Sequence, residues 1–268
     1  MRIGTQDKPF FPADFAGKLR TIRLMGFETF EVDGKAVLER FAELKAAIRE
    51  TGVPISTACG GYQGWIGDFQ EERRQQAIAE IGEILKRLAE LSGRGIVVPA
   101  AWGMFSKRLP PMIPPRSEEQ DRQVLLDSLE RINRVAQATG TYLYLEPLNR
   151  YEDHMINKLS DAVSLLEEGQ FSHVKVIADL YHMNIEEASI EDSLRRAQAY
   201  LGHIHLADSH RYQPGDGHLD FVSAFQVLQE IEYAGDLVFE CRVMGTPEVE
   251  RYRDSVEYVK RCLERAGL

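Results

Sequence analysis

Eight short runs rich in β-branched and aromatic residues recur along the chain, each followed by a longer helix-like stretch. They are Arg2 to Thr5, Phe27 to Val32, Pro54 to Ala58, Gly95 to Pro99, Thr141 to Glu146, Val174 to Asp179, His203 to Ala207 and Leu237 to Glu240. Strands and helices alternating at intervals of roughly 30 residues require parallel strands joined by helical crossovers, because parallel neighbours cannot be linked by a tight hairpin. Eight such units in 268 residues match the size at which a (β/α)8 barrel closes. The expected fold class is therefore α/β, a single (β/α)8 TIM barrel forming one domain over residues 1–268. An open doubly wound sheet is the competitor, but no G-x-G-x-x-G follows the first strand to hold a dinucleotide.

Helix starts are marked by Asp68 with Glu71, Ser117 with Gln120, Ser160 with Asp161, Asp220 before Phe221, and Thr246-Pro247-Glu248. Each can satisfy free N–H groups in a first helical turn, and seven or eight helices are expected. Two loops stand out. Cys59-Gly60-Gly61-Tyr62-Gln63-Gly64-Trp65 reads as a mobile, aromatic-bearing loop. The stretch from Gly103 to Arg116, with Pro110, Pro111, Pro114 and Pro115, reads as an active-site loop after the fourth strand, since the alternation resumes in step beyond it.

Lys and Arg number 32 against 42 Asp and Glu, a formal net charge of -10, and no basic block is visible. A nucleic-acid partner is therefore not expected. Asp7 interrupts any apolar signal core, and Gly95 to Phe105 falls short of the roughly 20 residues of a spanning helix. Cys59, Cys241 and Cys262 lack C-x-x-C spacing, which fits free thiols in a reducing compartment. The expectation is a cytoplasmic protein with no membrane partner.

The last four strands close on chemistry: Glu146, Asp179, His205 and Glu240, separated by 33, 26 and 35 residues, one per structural unit. In a parallel barrel all strand C-termini open on one face, so these distant groups converge at one mouth. Three carboxylates beside one imidazole repel unless a positive charge lies between them. One divalent metal ion answers this, and the oxygen-rich set suits Mn2+ first, with Mg2+ or Co2+ as alternatives. Taken singly, each acidic residue also reads as a helix cap or a solvated charge; it is the repetition in consecutive units that favours a metal site.

Four segments carry a resemblance to a known family: Glu146-Pro147-Leu148-Asn149-Arg150-Tyr151-Glu152, Asp179-Leu180-Tyr181-His182-Met183-Asn184-Ile185-Glu186-Glu187, Gly202-His203-Ile204-His205 followed by Arg211, and Phe239-Glu240-Cys241-Arg242. They resemble the ketose 3-epimerases, the D-tagatose and D-psicose 3-epimerases of the xylose-isomerase-like barrel superfamily. The resemblance implies that Glu146, Asp179, His205 and Glu240 bind the metal, that Glu146 and Glu240 also move protons, and that Glu152, His182 and Arg211 contact substrate. It implies a small-molecule sugar or keto-sugar substrate and a homo-oligomer. The expected reaction is C3 epimerisation of a free ketose through a metal-stabilised enediolate, with one carboxylate removing the proton beside the ketone and the other returning it from the opposite face. Return by a single base to the adjacent carbon would instead give aldose-ketose isomerisation.

Alternatives within the superfamily are keto-inositol isomerase, hydroxypyruvate isomerase and 3-keto-glycoside lyase. His182 also reads as a partner orienting a ligand, and Glu152 as a partner of Arg150 or a turn cap. His203, two residues deeper than His205, reads as a hydrogen-bonded interior residue, and Cys59 as a filler rather than a nucleophile. A more distant rival is an endonuclease IV-like nuclease, suggested by Asp216-Gly217-His218. Against it, all seven histidines fall at or after His154.

Overall fold

A computed structural model describes residues 1–106 and 113–268 of the chain. Its strands are β1 (Arg2–Thr5), β2 (Thr29–Asp33), β3 (Ile55–Cys59), β4 (Gly95–Pro99), β5 (Tyr142–Glu146), β6 (Val174–Asp179), β7 (Leu201–Leu206) and β8 (Asp236–Phe239). Each pairs in parallel with its neighbour in sequence, and β1 pairs with β8, so the sheet closes into the eight-stranded barrel that the alternation predicts. Most expected bounds agree to within one residue; β2 begins two residues later than expected, β7 begins two earlier, and Glu240 lies just past β8.

The helices are α1 (Phe15–Leu24), α2 (Gly34–Glu39), α3 (Phe41–Thr51), α4 (Glu71–Glu90), α5 (Glu118–Thr139), α6 (Leu159–Gly169), α7 (Leu180–Glu186), α8 (Ile190–Ala197), α9 (Phe221–Glu230) and α10 (Glu248–Arg265). They exceed the expected number because two crossovers are split. Arg40 leaves helical geometry between α2 and α3 (φ -121°, ψ 28°). Extended Glu187 ends α7, and the Ser189 side chain accepts from the Asp192 N–H to start α8.

Apolar spacing makes the long helices. Ala77, Ile78, Ile81, Ile84, Leu85 and Leu88 form a buried stripe on α4, and Leu125, Leu129, Ile132 and Ala136 one on α5. Burying each Leu, Ile or Val of these stripes against the outer face of the sheet contributes about 1.5–3 kcal/mol. Ser117 and Gln120 form the expected capping box, and Asp220 accepts from the Ser223 N–H. Two starts differ from expectation. Asp68 accepts from the Gln70 N–H and pairs with Arg73, so α4 begins only at Glu71. Asp161, rather than Ser160, satisfies the Lys158 N–H at the head of α6. Pro247 precedes α10 without a side-chain cap.

Inside the barrel a small apolar layer of Val97, Tyr144 and Ile177 separates the floor from the mouth. At the mouth, the loop after β3 is packed against β2 and α2. A Cβ on Gly61, whose φ is +77°, would approach the Lys35 nitrogen to 2.1 Å, so only glycine fits this close passage. Pro110 and Pro111 lie outside the described residues; Pro114 and Pro115 lie in non-helical chain before α5. Among the described residues no helix is long and apolar enough to cross a membrane.

Candidate active site

Barrel closure brings the four strand-end residues together. Glu146 ends β5 and Asp179 ends β6; His205 is the register partner of Asp179 on β7. Glu240 follows β8, its N–H donating to the Leu206 carbonyl. Each offers one ligand atom, and these atoms lie within 4.8 Å of one another. His205 Nδ1 is 2.9 Å from Glu240 Oε2, 3.5 Å from Glu146 Oε1 and 3.9 Å from Asp179 Oδ2. Despite the short first distance, Nδ1 is not aligned for a hydrogen bond, and both it and Glu146 Oε1 are buried polar atoms without a hydrogen-bond partner. Such orphaned atoms are costly unless something else satisfies them. Three carboxylates and one imidazole, with two unsatisfied atoms facing inward, fit a divalent cation.

The residue that sequence reasoning missed is Glu31 on β2. It is 1% exposed and accepts from four neighbours. His205 Nε2 lies 2.8 Å from its Oε1 and His203 Nε2 lies 3.0 Å from its Oε2, while Thr57 Oγ1 (2.6 Å) and Gln6 Nε2 (2.9 Å) complete the shell. A carboxylate on Nε2 fixes the His205 ring and turns Nδ1 toward the cluster. Burial opposes the charge on Glu31, yet the two histidines hold its carboxyl well below the usual range. The available signal was an acidic residue inside the apolar run Phe30-Glu31-Val32, at an inward strand position. Gln6, just past β1, links the halves by donating also to Glu240 Oε1 at 3.0 Å. His203 is the hydrogen-bonded interior residue expected.

Arg211 spans two of the carboxylates, with Nη1 2.6 Å from Asp179 Oδ2 and Nη2 2.5 Å from Glu240 Oε2. Its backbone has φ +66°, an unfavourable conformation for arginine, imposed by an N–H bond to Asp208 and by a bridge between Tyr212 and Arg242. His182 is 2% exposed. Its backbone N–H donates to Asp179 Oδ1, and its Nδ1 lies 3.0 Å from the Asn149 N–H nitrogen and 2.8 Å from Asn149 Nδ2. Accepting at Nδ1 leaves the proton on Nε2, as a donor.

Glu152 does not pair with Arg150, which is bound to Glu186. It accepts instead from the Trp102 indole (3.0 Å) and the Asn149 amide (2.9 Å). Trp102 is 56% exposed and packs edge-on against Trp65, so an aromatic wall adjoins the Glu152–Asn149–His182 chain.

The charges are strongly interdependent. Burial and the neighbouring Glu240 charge push Glu146 up to about 7. Burial also acts upward on Glu240, but Arg211 and His205 draw it well below the ordinary carboxylate range. Burial opposes a proton on His205, while Glu31 and Glu240 favour one strongly enough to raise it well above its usual value. Burial and the nearby carboxylates raise the Cys59 thiol, whose Sγ is 3.8 Å from Glu240 Oε1, so it stays neutral and reads as filler.

The nuclease-like pair is not gathered into this cluster. Asp216 binds Gln213 and Arg251, whereas His218 binds Ser209. Among the described residues the other group able to hold a metal is Glu31, His203 and His205, already bonded internally.

This barrel and cluster define a class. The chain belongs to the xylose isomerase-like TIM barrel family, whose model matches residues 19–262, and it is a carbohydrate epimerase. It is 52% identical over 98% of its length, and all of the relative's, to 3-dehydro-D-guloside 4-epimerase of Escherichia coli K12. The crystal structure of E. coli 3-keto-D-glucoside 4-epimerase superposes with a TM-score of 0.96 at 52% identity, covering 98% of this chain and 100% of that one. The D-psicose 3-epimerase of Enterocloster bolteae is 29% identical over 91% of this chain and 83% of its own. A D-psicose 3-epimerase structure with D-tagatose from Clostridium cellulolyticum H10 gives a TM-score of 0.84 at 25% identity, covering 98% and 99%.

Proposed function

We propose that the protein is a divalent-metal-dependent 4-epimerase of 3-keto-glycosides. The observation carrying this reading is the difference in similarity: 52% identity over nearly the whole chain with an E. coli 4-epimerase, against 29% with D-psicose 3-epimerases. It replaces C3 epimerisation of a free ketose, the reaction that the C-terminal motifs imply. Both reactions move a proton on the carbon beside a ketone, so motifs that serve that proton are shared by enzymes acting on different sugars.

Glu146, Asp179, His205 and Glu240 hold the ion, with Mn2+ the first choice for an oxygen-rich set containing one imidazole. When bound, a divalent ion stabilises the negative charge that develops on the keto oxygen as the neighbouring proton leaves. Of Glu146 and Glu240, one carboxylate takes the proton from C4 and the other returns it from the opposite face. His182 donates from Nε2 to a sugar oxygen, fixed in that tautomer by Asn149. Glu152, held by Trp102 and Asn149, receives a sugar hydroxyl, and Arg211 keeps Asp179 and Glu240 in place beside the substrate.

The test is incubation of methyl 3-keto-D-glucoside with the Mn2+-supplemented protein in deuterated water, followed by proton NMR. Inversion at C4 with solvent deuterium at that carbon is expected, with D-fructose and D-psicose turned over far more slowly. Rapid D-fructose epimerisation with an inert keto-glycoside would restore the 3-epimerase reading.

A further inference from the structure

The opposite end of the barrel holds a cavity of about 340 Å3, within the range of small-molecule sites and not used by the proposed reaction. Arg94, Tyr142, Tyr144, Lys175, Gly202 and Tyr233 are among the residues that line it. The unusual member is Tyr144. It is 3% exposed, and its ring occupies space that two glycines leave free. A Cβ on Gly95 would meet its Cε2 at 3.0 Å, and one on Gly202 would meet its Cε1 at 2.7 Å. Among the described residues no side chain or backbone group bonds its hydroxyl, which borders the cavity and is left free to meet solvent or a ligand there.

The charge around this cavity is unbalanced. Asp236 is 1% exposed and already receives two bonds from Arg2, at 2.9 and 3.0 Å. Arg94 stands 3.8 Å from the same carboxylate and is surplus to its neutralisation. Among the described residues Lys175 bonds the Ala199 carbonyl and pairs with no carboxylate. The acidic residue of the rim, Glu232, is solvent-exposed and screened, as are the outer parts of Arg94 and Lys175, so the two cations outnumber one acidic group. The walls are flat and apolar: Tyr142 stacks on Tyr144 with centroids 6.3 Å apart, and Tyr144 on His203 at 5.4 Å, both at 27°.

We propose that the barrel floor binds a small organic carboxylate with a flat apolar body. Arg94 and Lys175 receive the carboxylate, the Tyr144 hydroxyl donates to it, and the body lies against Tyr142 and Tyr233. The site borders the column Tyr144–His203–Glu31–His205, whose far end is the cluster at the mouth.

Benzoate is a suitable probe, titrated into the full chain with and without Mn2+ and followed by calorimetry and saturation-transfer NMR. Saturable binding at one site per chain is expected, displaced neither by Mn2+ nor by methyl 3-keto-D-glucoside. Arg94→Gln and Lys175→Met should each weaken it about tenfold with sugar turnover unchanged, and Tyr144→Phe should weaken it several-fold. If Arg94→Gln fails to fold, Lys175→Met carries the same test. Absence of saturable binding, displacement by the keto-glycoside, or affinity unchanged in the folded floor variants would overturn the proposal.

Discussion

Strands β5 to β8 each bring a side chain with metal-binding chemistry to the mouth of the barrel, whereas β1 to β3 bring Gln6, Glu31 and Thr57, which brace two of those side chains. On the second half stand Glu146, Asp179, His205 and Glu240. From the first half come Glu31, which orients His205 and binds His203, and Gln6, which joins Glu31 to Glu240. The difference teaches that reacting groups and their supports can lie on opposite halves of one closed sheet, connected by hydrogen bonds across its interior rather than by sequence.

The largest expected effect is on the second half. Glu240→Gln should lower turnover by about 100- to 10,000-fold while the protein stays folded, because a charge and a proton carrier are lost with little change in volume. Steady-state kinetics with circular dichroism check this, and near wild-type turnover would break the assignment of the chemistry to these strand ends.

Next comes the first half. Glu31→Gln should weaken Mn2+ binding by about 10- to 100-fold, since His205 loses the charged partner that fixes its ring. Calorimetric titration with Mn2+ reads this directly. Affinity equal to wild type would remove Glu31 from its supporting role and erase the division between the halves.

His182→Ala sharpens the comparison within the second half. It removes a donor proposed to meet substrate while leaving the four ligand atoms, so KM should rise about tenfold with Mn2+ affinity little changed. Metal loss would show instead that the imidazole itself supports the ligand cluster, since the backbone N–H that donates to Asp179 is kept in the variant. The smallest effect belongs to Cys59→Ser, expected to change turnover by less than about threefold because the half-buried thiol is neutral and serves as packing. A large loss would give the first half a chemical role at the mouth.

The same asymmetry governs what could be read from the sequence. The barrel was legible because parallel strands impose their rhythm on the chain, and the strand-end residues because each falls at the same place in its unit. The helix count was less so: the breaks at Arg40 and Glu187 depend on local backbone geometry that leaves no apolar-period signal. Glu31 was hidden because one acidic residue in a short strand has many meanings until its neighbours across the barrel are known. Glu152 shows the converse, since its sequence neighbour Arg150 proved to be bound to Glu186 and its own partners were Trp102 and Asn149. Substrate was the least legible feature, because the motifs around Glu146 and Asp179 serve proton transfer beside a ketone without specifying which sugar carries it.

In the proposed reading, four side chains from separate strands hold one divalent ion. Manganese binding measured by electron paramagnetic resonance on the metal-stripped chain tests it most directly. One Mn2+ per chain is predicted in the wild type, with binding severely weakened in both Asp179→Asn and His205→Gln. No tight binding, several ions per chain, or a single ion bound equally well by those two variants would contradict the account.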